Sequence, residues 1–223
     1  MSAEKTPKET WTWKRGIRQA LTLAAIMFTS LGLYLTVLKW RGWKGYNHRT
    51  YVEEVDELFP FRPGWVWVYL IPYLVGPVVV GLLSRKTFAW FVGRGLILVG
   101  VSLLIFIVYP TQTVRVTAPD LGDSLTGWLY RNMIAIDEPP ANAAPSLHVS
   151  LTCLLALALL RDFPRWRLFS LGGAVLVWLS TLYTRQHHVI DVVTGVLLAV
   201  VVALPWPGRK RQGVPPERGA SAP

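Results

Sequence analysis

The sequence predicts an all-α protein, a polytopic membrane protein of six transmembrane helices in one bundle, and three observations carry that prediction. Of its 223 residues 52% are hydrophobic and only 16% are charged, and the mean hydropathy is positive. The apolar residues gather into recurring runs, and a hydrocarbon core takes roughly 20 helical residues to cross. The net charge of +10 falls mostly between those runs, as a membrane topology requires and a nucleic-acid-binding face does not. One membrane-embedded domain is the economical reading, with no nucleic-acid partner.

Residues 1–15 are polar and basic and form a cytoplasmic N-terminal segment, with Trp11 and Trp13 placed for an interface. The first apolar run, about 17–38, is too long for the h-region of a signal peptide and reads as an anchor that stays. The second, about 65–83, contains Pro72 and Pro77, which membrane helices tolerate better than soluble ones do. The third, about 88–109, carries Arg94 near its start, where a long side chain snorkels. The fourth, about 147–160, is short. The fifth and sixth cover about 167–184 and 188–206. Residues 16–206 are thus one catalytic membrane domain, and 207–223 a disordered basic cytoplasmic tail. Its Arg209-Lys210-Arg211 cluster reads as a stop-transfer anchor. Trp40, Trp43, Trp65, Trp67 and Trp206 suit an aromatic belt. Cys153, the sole cysteine, excludes an intrachain disulfide.

Lys and Arg orient the bundle. With the N-terminus inside, the inner segments hold fifteen and the outer segments eight, so both termini face the cytoplasm. The first outer loop, with Lys39, Arg41, Lys44, Arg49 and Arg62, runs against the trend but also carries Glu53, Glu54, Asp56 and Glu57.

Chemistry is expected where ionisable residues meet apolar runs, because such residues are costly there and mark function by default. Two stretches qualify, Ala144–Thr152 and Tyr183–Gly195. In the second, His187 and Asp191 stand four apart and share a helix face. A carboxylate on one imidazole nitrogen fixes the tautomer and frees the other nitrogen as a nucleophile. At a helix N-terminus His187 would also sit where amides and dipole favour an anionic phosphate. Arg185 offers a planar fork for phosphate oxygens. Gly195, one turn past Asp191, permits close helix packing. In the first stretch Ser146 reads as an N-cap with His148 in the first turn, so both histidines can face one outer pocket as nucleophile and general acid.

Blander readings of the same residues stay open: an interfacial anchor for His148, a structural hydrogen-bonded pair for His187 and Asp191. A metal centre fits less well, because the adjacent His187 and His188 point in different directions on a helix and no cysteine or second carboxylate lies nearby in sequence. Arg115 is a phosphate ligand or a solvated loop residue, and Asp56 and Pro60 read as architectural.

At these positions the chain resembles the type 2 phosphatidic acid phosphatase superfamily. Pro145, Ser146 and His148 match its Pro-Ser-x-His motif. His187, Asp191, Val192 and Gly195 match His-x-x-x-Asp-Val-x-x-Gly. The resemblance implies six membrane helices, a phosphohistidine on His187 supported by Asp191, His148 as the acid, and no metal or other cofactor. The superfamily's Lys-x6-Arg-Pro motif is absent, and Thr181 stands where an arginine usually precedes the nucleophile. Thr184, Arg185, Gln186, His187 and Asp191 resemble the inositol-phosphoceramide synthase branch, of the aureobasidin-resistance type. The stretch from Asp56 through Phe59, Pro60, Phe61 and Pro63 to Tyr69 and Tyr73 does so too, as does Tyr109-Pro110-Thr111 with Arg115.

Three functions follow. The first is phosphotransfer of a phosphoryl-headgroup between lipids, phosphoinositol being one such headgroup, with Arg115, Ser146 and Arg185 binding the phosphate. The second is hydrolysis of a lipid phosphate such as phosphatidic acid or a polyprenyl (di)phosphate. The third is non-catalytic lipid binding. The partner in each is a lipid-phosphate within the membrane. Short loops and a basic tail suit a bacterial inner membrane, with the site on the periplasmic side.

Overall fold

A computed structural model describes residues 11–44, 48–114 and 121–205. Helices dominate. In chain order they are α1 (Trp13–Lys44), the single-turn α2 (Glu53–Asp56), α3 (Val66–Gly81), α4 (Arg85–Val108), α5 (Leu125–Ile136), α6 (Leu147–Asp162), α7 (Arg167–Tyr183) and α8 (Val189–Ala203). Every predicted span lies on one of the six longer apolar helices. Three segments are long and apolar enough to cross a membrane: Trp13–Trp40, Pro63–Gly81 and Arg85–Val108. α8 is apolar but shorter. Leu21, Phe28, Leu74, Val78, Leu104, Leu168, Phe169 and Val201 are exposed on these helices, the outward apolar surface of a membrane protein.

α6 is the central helix, packed against α4, α7 and α8. Its sequence alternates leucines with small residues, so neighbours approach closely on every side. Eight of its sixteen residues are buried. Ser150 and Thr152 donate to the Ser146 and His148 carbonyls at 2.9 Å each, so their hydroxyls are buried with partners. Trp178 of α7 donates to Thr152 Oγ1 at 3.1 Å. At the far end of α6, Asp162 accepts from Ser84 N and Thr87 Oγ1, both at 2.6 Å, and so ties α6 to the start of α4. α1 crosses α3 at paired glycines: a Cβ on Gly81 would lie 2.9 Å from the Gly16 carbonyl oxygen.

Contacts between distant elements add to the expected picture. Arg94 donates to the Val202 carbonyl of α8 at 2.6 Å, a partner within the protein. Trp65 stacks on Tyr183 (4.9 Å, 27°), while the exposed Trp67 donates to Thr126 Oγ1. Between the third and fourth predicted spans lies α5, whose Tyr130 and Met133 pack on Val66. Two short strands also escape a hydropathy reading. β1 (His48–Arg49) pairs in parallel with β2 (Thr111–Gln112), and Gln112 bridges Ala141. Residues 1–10, the side chain of Trp43, Arg115, Trp206 and the Arg209-Lys210-Arg211 cluster lie outside the described residues.

Candidate active site

The site is built on the turn between α7 and α8. Helix α7 ends on a residue in the left-handed region: Arg185 has φ 52. The Arg185 N–H bonds the Leu182 carbonyl and the Gln186 N–H bonds the Thr181 carbonyl, both at 3.0 Å, which is the Schellman pattern. Glycine usually takes this position; an arginine there costs about 1 kcal/mol of backbone strain. The His187 N–H also bonds the Thr181 carbonyl, at 3.1 Å, so the turn holds the histidine backbone firmly.

Helix α8 then begins, and two carboxylates serve its N-terminus. Asp191 Oδ2 accepts the His188 N–H at 2.9 Å and lies 3.3 Å from His187 Nδ1. Asp56, 133 residues earlier in the chain, accepts the Val189 N–H on Oδ1 at 2.8 Å and the Val52 N–H on Oδ2 at 2.7 Å. Asp56 is therefore a cap delivered from another element, the architectural role its sequence context suggests. The first amide of α8 is thus already bonded to a carboxylate.

His187 keeps a side chain 14% exposed. With Nδ1 facing Asp191, its Nε2 is the nitrogen left over. His188 differs in every respect. It is fully buried, its Nε2 accepts the Val114 N–H at 3.0 Å, Tyr51 packs edge-on to its ring, and Asp56 Oδ1 lies 3.7 Å from its Nδ1. Its ring is spent on anchoring the segment after β2.

The second stretch meets the first directly. Ser146 caps α6 by accepting the Val149 N–H, and its own N–H donates to the Asp191 carbonyl at 3.1 Å. A Cβ on Gly195 would lie 2.8 Å from the Ser146 carbonyl oxygen and 3.2 Å from Val149 Cβ. Glycine is what lets α8 lie against the start of α6. His148, two residues on, is buried, and the imidazoles of His148 and His187 are near enough for their charges to interact. Both its ring nitrogens are engaged by α3: Nε2 lies 2.9 Å from the Tyr69 carbonyl oxygen and Nδ1 3.1 Å from the Tyr73 hydroxyl. The Tyr69 ring stacks on it (4.1 Å, 14°).

Arg185 lies beside the turn and is 7% exposed. One terminal nitrogen is 3.5 Å from Glu57 Oε2, while Nε is buried without a partner. Glu57 also accepts from the Tyr51 hydroxyl, a bond that above all else raises the Tyr51 pKa. Asn142, at φ 59 and 2% exposed, and Gln186, 2% exposed, leave both amide atoms unpartnered, as Asp191 leaves Oδ1. Thr113 links the two segments, with its N–H on the Pro140 carbonyl and its hydroxyl on the Gln186 carbonyl. Sequence reading passed over Asn142. The available signal was an amide residue, tolerant of positive φ, three residues before Pro145. Among the described residues no three His, Cys, Asp or Glu side chains are grouped to hold a metal. An open apolar trough along α1, lined by Ile17, Leu21 and Ala25, contains none of these groups.

A family model described as the PAP2 superfamily matches residues 63–204. No curated protein and no solved structure matches the chain.

Proposed function

Since the chain belongs to the PAP2 superfamily, we propose that it is a membrane lipid phosphotransferase that moves a phosphoryl-headgroup between lipids through a phosphohistidine on His187. The observation that carries this reading is the pairing of His187 Nδ1 with Asp191 Oδ2, which leaves Nε2 with its lone pair. In the first half-reaction Nε2 forms a bond to phosphorus while the bond to the leaving oxygen breaks. Asp191 stabilises the imidazolium character that develops. The leaving oxygen takes a proton drawn from His148. In the second half-reaction an acceptor hydroxyl attacks the phosphohistidine and returns a proton along the same route.

Transfer is favoured over hydrolysis by the buried, unpartnered amides of Asn142 and Gln186. Each carries both donors and an acceptor, which suits a headgroup with hydroxyls better than a bare phosphate. Arg185, Ser146 and Arg115 are the phosphate-binding candidates on this reading. We take all six long helices as spans, with the termini inside and the site on the outer face. Helices α6, α7 and α8, of 15 to 17 residues, reach only about 22–26 Å. The buried loops 140–146 and 184–188 make up the depth, which is tolerated where protein covers them.

The test gives purified protein a panel of lipid phosphates and phospholipids with diacyl or sphingoid acceptors, and measures free phosphate and new phospholipid in parallel. New phospholipid without free phosphate supports transfer, and free phosphate alone makes the protein a phosphatase. Full turnover by His187→Ala in both assays would sink the nucleophile assignment.

A further inference from the structure

Charge around the α7–α8 turn is unevenly matched. Among the described residues three carboxylates bond to it: Asp56 to the Val189 N–H, Asp191 to the His188 N–H and Glu57 to the Arg185 side chain. Arg185 is the one guanidinium that pairs with any of them, and it is only partly used. A single terminal nitrogen lies 3.5 Å from Glu57 Oε2, while Nε is buried without a partner. A guanidinium fork holds an oxyanion best through two parallel N–H groups. Here it meets a carboxylate through one long contact, so donors remain for a second anion.

Glu57 is nevertheless held in place. Its Oε1 accepts from the Tyr51 hydroxyl, and its N–H bonds the Glu53 carbonyl at 3.1 Å. The Tyr51 ring packs edge-on to His188 with centroids 5.2 Å apart. Asp56, the preceding residue, ties α2 to α8 through the Val52 and Val189 amides. The short α2 is thus a strap laid against the turn, and it keeps a negative charge on the guanidinium beside His187.

We propose that Glu57 is a specificity-determining residue, which turns the site away from phosphomonoesters, with two negative charges, and toward phosphodiester lipids, with one. The proposal rests on the reading of Arg185 as a phosphate ligand. A bare guanidinium favours the dianion, because its attraction scales with the charge of the ligand. A carboxylate fixed on the same guanidinium takes that advantage away. Two anions that share one guanidinium lie no more than about 8 Å apart, within a Debye length at physiological salt. Glu57 therefore repels a dianion twice as strongly as a monoanion. It weakens binding of both and gains selectivity by opposing the wrong ligand more. A donor that keeps its headgroup on the phosphate is the monoanion, the class that headgroup transfer requires.

The experiment measures diacylglycerol release from phosphatidic acid and from phosphatidylmethanol, which differ by one methyl group on the phosphate, with a sphingoid acceptor. At a pH of about 8 the monoester carries close to two charges and the diester one. Glu57→Gln keeps the shape: its oxygen can accept from Arg185 and its NH₂ can donate to Tyr51, so the guanidinium stays placed while the charge goes. The kcat/KM ratio of phosphatidic acid to phosphatidylmethanol should rise about 3- to 30-fold, as one further unit charge at that separation implies. Glu57→Asp, which restores the charge, should stay near the parent ratio. An unchanged or lower ratio in the Gln variant overturns the proposal. Equal losses on both lipids overturn it too, since Glu57 would then only prop Arg185. Should the Gln variant not fold, Glu57→Ser takes its place with the same expectation. Failure of the underlying reading looks different: Arg185→Ala would keep the parent KM for both lipids, or the parent would release diacylglycerol from phosphatidic acid alone.

Discussion

The two site histidines are held in opposite ways. His187 is restrained by a carboxylate one turn along the same helix, keeps one nitrogen unengaged and is partly open. His148 is restrained by another helix, more than seventy residues away in the chain, through both nitrogens and a stacked ring. A nucleophile needs one nitrogen held and the other bare. A proton store can be enclosed, provided that the proton has a way out. The difference fits the unlike roles proposed for these like side chains, and substitutions around each ring sharpen or break that proposal.

The largest effect is expected at the open histidine. His187→Ala should reduce turnover of every substrate by at least ~10³-fold and abolish acid-labile phosphoenzyme in quenched reactions. A fall confined to one substrate would return His187 to a structural role. Asp191→Asn comes next. The amide oxygen can keep the His188 N–H, and its NH₂ can occupy the place of the unpartnered Oδ1, so folding should survive. Loss of the charge beneath the developing imidazolium should still cost on the order of 10²-fold in kcat. A wild-type rate would make the His187–Asp191 pair a cap and nothing more.

The contrast between the histidines also shows what a chain can and cannot announce. The His187–Asp191 contact was legible because it spans four residues of one helix. The Ser146 cap and the small Gly195 are local signals of the same kind, and the apolar runs located the helices within a few residues. The restraints on His148 were not legible. Tyr69 and Tyr73 stand out in sequence as a motif resemblance, but nothing local says that their carbonyl and hydroxyl will meet a ring on α6. Asp56 as a cap for α8, and Arg94 on the Val202 carbonyl, fail for the same reason: each is a single contact between elements distant in sequence. The helix α5 was hidden because its amphipathic twelve residues lack the length of a span. The count of crossings is a further matter, since length and composition identify three spans among the described residues and α6–α8 are shorter.

Two stability changes probe how the start of α8 is fixed. Gly195→Ala places a methyl 2.8 Å from the Ser146 carbonyl oxygen, and backbone cannot rotate away as a side chain would. About 1–3 kcal/mol should be lost, read as a lower unfolding temperature in detergent, and activity should fall because Ser146 and Asp191 are pushed apart. An unchanged melting temperature would mean that the α6–α8 contact is loose. Asp56→Ala leaves the Val189 and Val52 amides without their acceptor. Roughly 1–2 kcal/mol follows from a lost cap, with no direct effect on the proposed phosphohistidine step.

The smallest and most discriminating change is at Arg185, where backbone and side chain pull apart. Its left-handed φ favours glycine, so Arg185→Gly should relieve strain worth about 1 kcal/mol, offset by loss of the 3.5 Å contact to Glu57. That contact is half exposed on the Glu57 side (60%) and should contribute ~1 kcal/mol or less. Net stability should therefore barely move. Arg185→Ala loses the same contact and keeps a Cβ in the left-handed turn, so it should be the less stable of the two. If the guanidinium binds phosphate, both variants raise KM alike, whatever their stabilities. If it only holds Glu57, the glycine variant behaves as the parent does and the alanine variant alone suffers. Measuring KM and unfolding temperature on the same two proteins separates a residue kept for its charge from one kept to shape the turn beneath His187.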